Sequence, residues 1–289
     1  MKKVVVIVGP TASGKTSLSL ELAKHYNSEI INGDSVQVYQ GLNIGSAKIK
    51  DAEKQGVKHH LIDVCSPHMS YSVYQFQKDV RQLISSIDLP FIVGGTGLYI
   101  KAALYNYEFI EQKRDESFDE KIRMMTNEEL YQELLKHDPH IIIDSKNRRR
   151  LSRAYEQALQ GYPRSEKTKK DELLFDALII YLDLPRDILD IRLKERLENQ
   201  INEGFIDEVQ LLRNQNLHMD IIGYRELDRY LSGDITLDEA KDAIIRVSKK
   251  LAKKQKTWFK NQMNPIIVDA LSPNLKQEVI AKIDSFIKR

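Results

Sequence analysis

Short runs of β-branched and aliphatic residues alternate along the chain with longer segments whose apolar positions recur every three or four residues. The runs at 4–8, 29–32, 90–93, 177–183 and 265–268 read as strands, and the segments between them as helices. In residues 16–26 Leu18, Leu22 and Ala23 share one helix face, and in 74–87 Phe76, Val80, Leu83, Ile84 and Ile87 do the same. Strands separated by amphipathic helices predict an α/β fold, a parallel sheet flanked by helices. From about Glu111 to Asp171 the strand rhythm stops. Residues 127–137 and 147–160 are polar, charged and helical in period, so 113–172 is expected as a helical insertion in an α/β core made of 1–112 and 173–289. Residues 163–170 have the composition of a linker. Helices return at 187–200, 205–214 and 237–260, closed by the last short strand.

The first strand runs directly into Gly9-Pro10-Thr11-Ala12-Ser13-Gly14-Lys15-Thr16, a complete G-x4-G-K-[ST] phosphate-binding loop that opens a helix. The glycines let successive N–H groups of Gly9, Thr11, Ala12, Ser13 and Gly14 turn toward phosphate oxygens. Lys15 adds a mobile positive charge, and the Thr16 hydroxyl can ligate Mg²⁺. The competing explanation is a glycine-rich turn before an ordinary helix, but the bare pattern arises by chance in only on the order of one chain in a hundred of this length. The loop does not name its ligand, because a triphosphate and a diphosphate ester satisfy the same donors.

Asp34 lies just past the second expected strand, at the carboxyl edge where open parallel sheets bind ligands. A carboxylate there can ligate Mg²⁺ or serve as a general base; a turn aspartate capping 35–39 is the structural alternative. Gly94-Gly95-Thr96-Gly97 follows the third strand on the same edge, where Thr96 can offer a hydroxyl to a substrate unless the segment is a plain turn. Arg148-Arg149-Arg150-Leu151-Ser152-Arg153 opens a helix with Arg149 and Arg153 one turn apart, a density that suits phosphates or a solvated face. Lys249, Lys250, Lys253 and Lys254 form a later basic face, followed by Trp258 and Phe259, which read as core. His59-His60 lacks Cys or carboxylate partners at ligand spacing and reads as structural.

Composition narrows the class without deciding the partner. The net charge of +2 is too small to demand a polyanion, so local patches carry that argument. The one cysteine, Cys65, excludes an intramolecular disulfide framework and a Cys-based zinc site, and reads as packing. The apolar run after Met1-Lys2-Lys3 lasts five residues, too short for a signal peptide, and no long apolar stretch follows. A cytoplasmic monomer without a membrane segment is the expectation.

The phosphate loop, Asp34-Ser35-Val36-Gln37-Val38-Tyr39, Asn43-Ile44-Gly45-Ser46-Ala47-Lys48, His59-His60-Leu61-Ile62-Asp63, Gly94-Gly95-Thr96-Gly97-Leu98-Tyr99, Arg150-Leu151-Ser152-Arg153-Ala154 and Ile222-Gly223-Tyr224-Arg225-Glu226 together resemble the bacterial type of the tRNA dimethylallyltransferase family, in order and spacing over nearly the whole chain. The resemblance implies transfer of a dimethylallyl group from its diphosphate to N6 of the adenosine 3′ of the anticodon, with Mg²⁺. It implies that Lys15 and Thr16 bind diphosphate and metal and that Asp34 accepts the amine proton beside Thr96. Asp34, Ser35, Val36 and Gln37, and Arg149, Arg150, Leu151, Ser152 and Arg153, correspond to tRNA-touching segments, joined by a basic side chain near Lys121 or Arg123. Arg225 is a candidate for the leaving diphosphate, and the insertion would clamp the anticodon stem. Two rivals stay open: a small-metabolite kinase in which Lys15 and Thr16 hold ATP, and a nucleotide-switched RNA-binding module without turnover.

Overall fold

Val4, Val5, Val6, Ile7 and Val8 offer water no polar side chain, and all five are fully buried in strand β1 (Lys3–Val8). A strand buried on both faces belongs in the middle of a parallel sheet, and β1 lies there. The computed structural model describes residues 1–109, 116–166 and 171–289, with the backbone alone at 116, 117, 119 and 121. Besides β1 the strands are β2 (Ile30–Asn32), β3 (His59–His60), β4 (Phe91–Gly94), β5 (Asp176–Asp183) and β6 (Ile266–Asp269). They form one sheet in the order β3-β2-β4-β1-β5-β6, every neighbouring pair parallel. The ends of β1, β2 and β4 therefore open on one edge, and each is followed by one of the glycine-bearing turns.

The helices are α1 (Lys15–His25), α2 (Val73–Ser86), α3 (Gly97–Leu104), α4 (Glu116–Arg123), α5 (Asn127–His137), α6 (Arg148–Leu159), α7 (Arg186–Asn202), α8 (Phe205–Asn214), α9 (Tyr224–Leu231), α10 (Leu237–Met263) and α11 (Leu275–Lys288). Their starts follow from capping chemistry: Ser72 Oγ accepts the Gln75 N–H before α2, and Thr236 Oγ1 accepts the Glu239 N–H before α10. Helix α10 ends at Asn264, whose φ of 44° is left-handed, just before Pro265. The five expected strands all form within a residue of their expected bounds. Strand β3 is too short for a two-residue period to show. The chain does not close on β6 as expected: α11 follows, and its Val279, Ile283 and Phe286 bury against Val5, Ile7, Leu18 and Leu22.

Two compact units emerge, Met1–Leu104 with Leu174–Arg289, and Tyr105–Leu173. The first holds the sheet and a second apolar cluster in which Leu197 of α7, Phe205, Val209 and Leu212 of α8, Tyr224 and Leu227 of α9, and Ile244 of α10 pack on Leu42. The second unit packs α4, α5 and α6 around Ile122, Leu130, Leu134, Leu151, Ala154 and Tyr155. The expected boundary at 112/113 lies outside the described residues. So does 167–170 of the expected linker, whose Arg164–Glu166 form a single 3-10 turn. No described helix is long and apolar enough to cross a membrane.

Candidate active site

The chain leaves β1 and turns back into α1 through the phosphate loop. Ala12 (φ 65°) and Gly14 (φ 85°) take left-handed backbone, and Gly14 caps α1 without a side chain, so the first-turn N–H groups stay open to an anion. No acidic residue occupies that first turn, which leaves the positive end of the helix dipole uncompensated. Lys15 Nζ donates to the Pro10 carbonyl at 2.6 Å, which folds the ammonium over its own loop. Burial, with Arg196 beside it, brings the Lys15 ammonium down to about 8, against the opposing pull of Asp34.

Asp34 follows β2 in a self-bonded turn. Its Oδ1 accepts the Val36 N–H at 2.8 Å, and its own N–H donates to Asn32 Oδ1 at 3.0 Å. The buried Asn32 in turn donates to the Asp34 and Leu61 carbonyls, which ties the turn to the neighbouring segment. At Gly94 the ends of β2 and β4 come so close that a Cβ would stand 2.2 Å from the Gly33 carbonyl carbon and oxygen. That approach lets Thr96 Oγ1 accept the Ser35 N–H at 3.0 Å and donate to Ser35 Oγ at 3.2 Å.

A cavity of about 280 Å³ joins these parts. Thr11, Ala12, Ser13, Gly14, Lys15, Thr16, Asp34 and Gln37 line it, and Ile30, Ile49, Ile62 and Val93 add an aliphatic portion. Gly9, Ser35, Val36 and Thr96 are not in the lining; Thr96 stands behind it, bonded to Ser35. Arg225 is not in the lining either: its guanidinium is held by Asp220 at 2.6 Å and Glu226 at 2.6 Å. The arginine that does line the cavity is Arg196 of α7, partly buried, its guanidinium pKa lowered by burial although Asp34 opposes the shift. One turn earlier Arg192 donates to the Ala12 carbonyl at 3.2 Å and braces the loop. The two arginines stand four residues apart among the other charges of α7, and no local pattern singles them out. His59 also lines the cavity, with Nδ1 on the Val57 carbonyl at 2.9 Å and a pKa lowered chiefly by burial. His60 pairs with Glu29.

Within the second unit α6 sorts its residues by face. Arg149, Arg150 and Arg153 are exposed and Ser152 is partly so, whereas Leu151 is fully buried in the unit's core. The Leu151 side chain therefore packs in the core and reaches no surface. Arg148 turns inward to the Asn127 side chain and the Ile122 carbonyl, and Arg153 pairs with Glu156 at 2.9 Å. Arg123 is exposed; the side chain of Lys121 lies outside the described residues. In the first unit Phe259 is fully buried against Tyr181, and Trp258 covers Gly97 so closely that a Cβ there would stand 2.3 Å from its ring.

Residues 37–262 match the family model described as IPP transferase. A tRNA dimethylallyltransferase of Acholeplasma laidlawii is 52% identical over 287 residues, covering 99% of each chain. The crystal structure of a tRNA isopentenylpyrophosphate transferase from Bacillus halodurans superposes with a TM-score of 0.75 at 36% identity, covering 100% of this chain and 99% of that one. A eukaryotic dimethylallyltransferase, crystallised in snapshots described as acting on tRNA, gives a TM-score of 0.89 at 26% identity over 100% of this chain and 80% of its own. With the family match spanning 37–262 and a relative matched end to end, the chain belongs to the tRNA dimethylallyltransferase family and is a transferase.

Proposed function

We propose that the chain transfers a dimethylallyl group from dimethylallyl diphosphate to N6 of the adenosine immediately 3′ of the anticodon in tRNA, with Mg²⁺, releasing diphosphate. One observation carries this reading. In a member of this family, a single cavity gathers the open N-terminus of α1, Lys15, Arg196, Asp34 and a set of aliphatic side chains. Cations and N–H groups suit a diphosphate, the aliphatic portion suits a five-carbon chain, and the carboxylate suits an amine that must lose a proton. The kinase alternative has no support in the named relatives, which are transferases of the isoprenoid group.

The allylic C–O bond breaks with its electron pair left on the diphosphate oxygen, where Lys15, Arg196 and the loop N–H groups take up the charge. The N6 lone pair forms the new C–N bond. That lone pair is delocalised into the ring, so the nitrogen becomes strongly acidic only as the bond forms, and Asp34 then receives the proton. The Thr96–Ser35 pair holds the turn that carries this carboxylate. Ile30, Ile49, Ile62 and Val93 limit water near the allylic cation. The acceptor base must leave the anticodon-loop stack, at a cost of about a few kcal/mol.

The residues present fit Mg²⁺. Thr16 and Asp34 both line the cavity, and Ser13 Oγ is buried without a hydrogen-bond partner among the described residues. One hydroxyl and one carboxylate, completed by substrate oxygens and water, is a donor set Mg²⁺ commonly takes, and no cluster of three His, Cys, Asp or Glu among the described residues supplies a full protein cage. Bound there by Thr16 and Asp34, the ion would supply Lewis-acid stabilisation of the leaving diphosphate.

Steady-state release of diphosphate tests the reading: it should require both dimethylallyl diphosphate and an unmodified anticodon stem-loop, and turnover that requires ATP would contradict it. Lys15 adds a pH signature. The free-state ammonium is lost as pH rises through about 8, while a bound polyanion holds the proton on. Affinity for inorganic diphosphate is thus full below that pH and falls by up to about tenfold per unit above it. Calorimetry from pH 7 to 9.5 should show the fall relative to Lys15→Arg, which stays charged throughout; parallel profiles would contradict it.

The exposed Arg149, Arg150 and Arg153 of the second unit, with Arg123, are proposed to meet RNA phosphates. Arg149→Ala with Arg153→Ala should reduce the magnitude of the log affinity against log salt slope by roughly 0.7–0.9 per lost contact. An unchanged slope in fluorescence anisotropy would reduce the cluster to a solvated face.

A further inference from the structure

Glu208 of α8 is a buried carboxylate outside the cavity, and the loop it holds, 43–45, runs directly into Ser46 and Ala47 of the cavity's lining. Its Oε2 accepts the N–H groups of Asn43 (2.9 Å) and Ile44 (2.7 Å). Its Oε1 accepts the N–H of Gly45 (3.1 Å) and the hydroxyl of Tyr224 (2.7 Å). From α7 the Gln200 amide donates to the Ile44 and Gly45 carbonyls, so donors and acceptors of the same short loop are clamped together. Gly45 lets the loop sit on the Phe205 and Tyr224 rings: a Cβ would meet them at 2.2 and 2.6 Å. Two motifs far apart in sequence, around Gly45 and around Tyr224, thus form one anchor.

The next residues, Ser46 and Ala47, line the cavity, and their carbonyls accept Gln37 Nε2 at 3.2 and 3.4 Å. Two acceptors on one end of an amide fix which end is nitrogen, so Oε1 of Gln37 is the accepting end. Gln37 lines the cavity as well. We propose that Glu208 is a positioning residue: by fixing 43–45 it sets the Ser46 and Ala47 carbonyls, which orient Gln37 to accept an N–H of the RNA base. The base-facing part of this proposal rests on the transfer reaction above; the anchoring part does not.

Glu208→Gln tests both parts. It replaces one accepting oxygen by an N–H donor that faces N–H groups. Amide exchange at 43–45 should quicken by about tenfold or more, with exchange in the phosphate loop unchanged. KM for the stem-loop should rise about tenfold, while Kd for inorganic diphosphate stays within about twofold. Leu227→Ala, in the core of the same cluster, serves as the stability control and should leave both constants unchanged. Tyr224→Phe removes only the hydroxyl and should raise KM for the stem-loop about threefold, which keeps the test alive if Glu208→Gln fails to fold. Unchanged exchange at 43–45 overturns the anchor. An unchanged stem-loop KM in both variants, or an equal rise in diphosphate Kd, overturns the positioning of Gln37. A wild-type chain that transfers nothing would overturn the function reading separately, because exchange still decides the anchor.

Discussion

Asp34→Asn should lower the single-turnover rate of dimethylallyl transfer by about 10²–10⁴ at saturating stem-loop, with a much smaller change in stem-loop affinity. The substitution is well matched to the local geometry. An asparagine Oδ1 can keep the bond from the Val36 N–H and leaves the Asn32 contact to the backbone untouched, so the turn should survive. What disappears is the proton acceptor and the charge beside Lys15 and Arg196. A turn-capping role alone predicts a rate within about threefold of wild type and a small loss of stability. Loss that excess Mg²⁺ rescues in full would leave Asp34 its metal role alone and remove it as the proton acceptor, whereas loss that persists at saturating Mg²⁺ is the proton acceptor's.

Lys15→Ala should weaken binding of inorganic diphosphate by roughly ten- to a hundredfold, the range of a charge-assisted hydrogen bond, and slow transfer at least as much. Stem-loop affinity should stay within about twofold, because Lys15 is folded over its own loop at the Pro10 carbonyl. The two measurements belong together. Wild-type turnover in the variant would remove the phosphate loop from the reaction, and a parallel loss of RNA affinity would mean that the cavity had collapsed.

The sheet was legible because its strands are nearly pure: β1 has no polar side chain from Val4 to Val8, and every expected strand meets a Gly, Pro or Asp within two residues of its end. The phosphate loop and Asp34 were legible because each combines a motif with a strand end, two independent constraints on one position. Arg196 was not, because in Arg192, Lys194, Glu195, Arg196 and Glu198 nothing local tells a cavity arginine from a solvated one. Only the tertiary packing of α7 beside the loop does so. Arg225 shows the converse: the motif around Gly223 suggested a leaving-group arginine, but Asp220 and Glu226 hold it, and the neighbouring Tyr224 carries the structural weight through Glu208. Leu151 sits inside an arginine run yet points into the core, since a helix turns each successive side chain by about 100° and no contiguous stretch can face one partner. The anchor at Glu208 joins residues 165 apart in sequence, a pairing that no local pattern encodes.

The most direct measurement follows the five-carbon group itself. Dimethylallyl diphosphate labelled in its carbon chain is incubated with the protein, Mg²⁺ and an unmodified anticodon stem-loop, and the RNA is digested to nucleosides. Alkyl transfer predicts label on one nucleoside, at N6 of the adenosine 3′ of the anticodon, with none when that adenosine is replaced by guanosine. Label that stays on the diphosphate, together with transfer of the γ-phosphate of ATP to an acceptor, would contradict it.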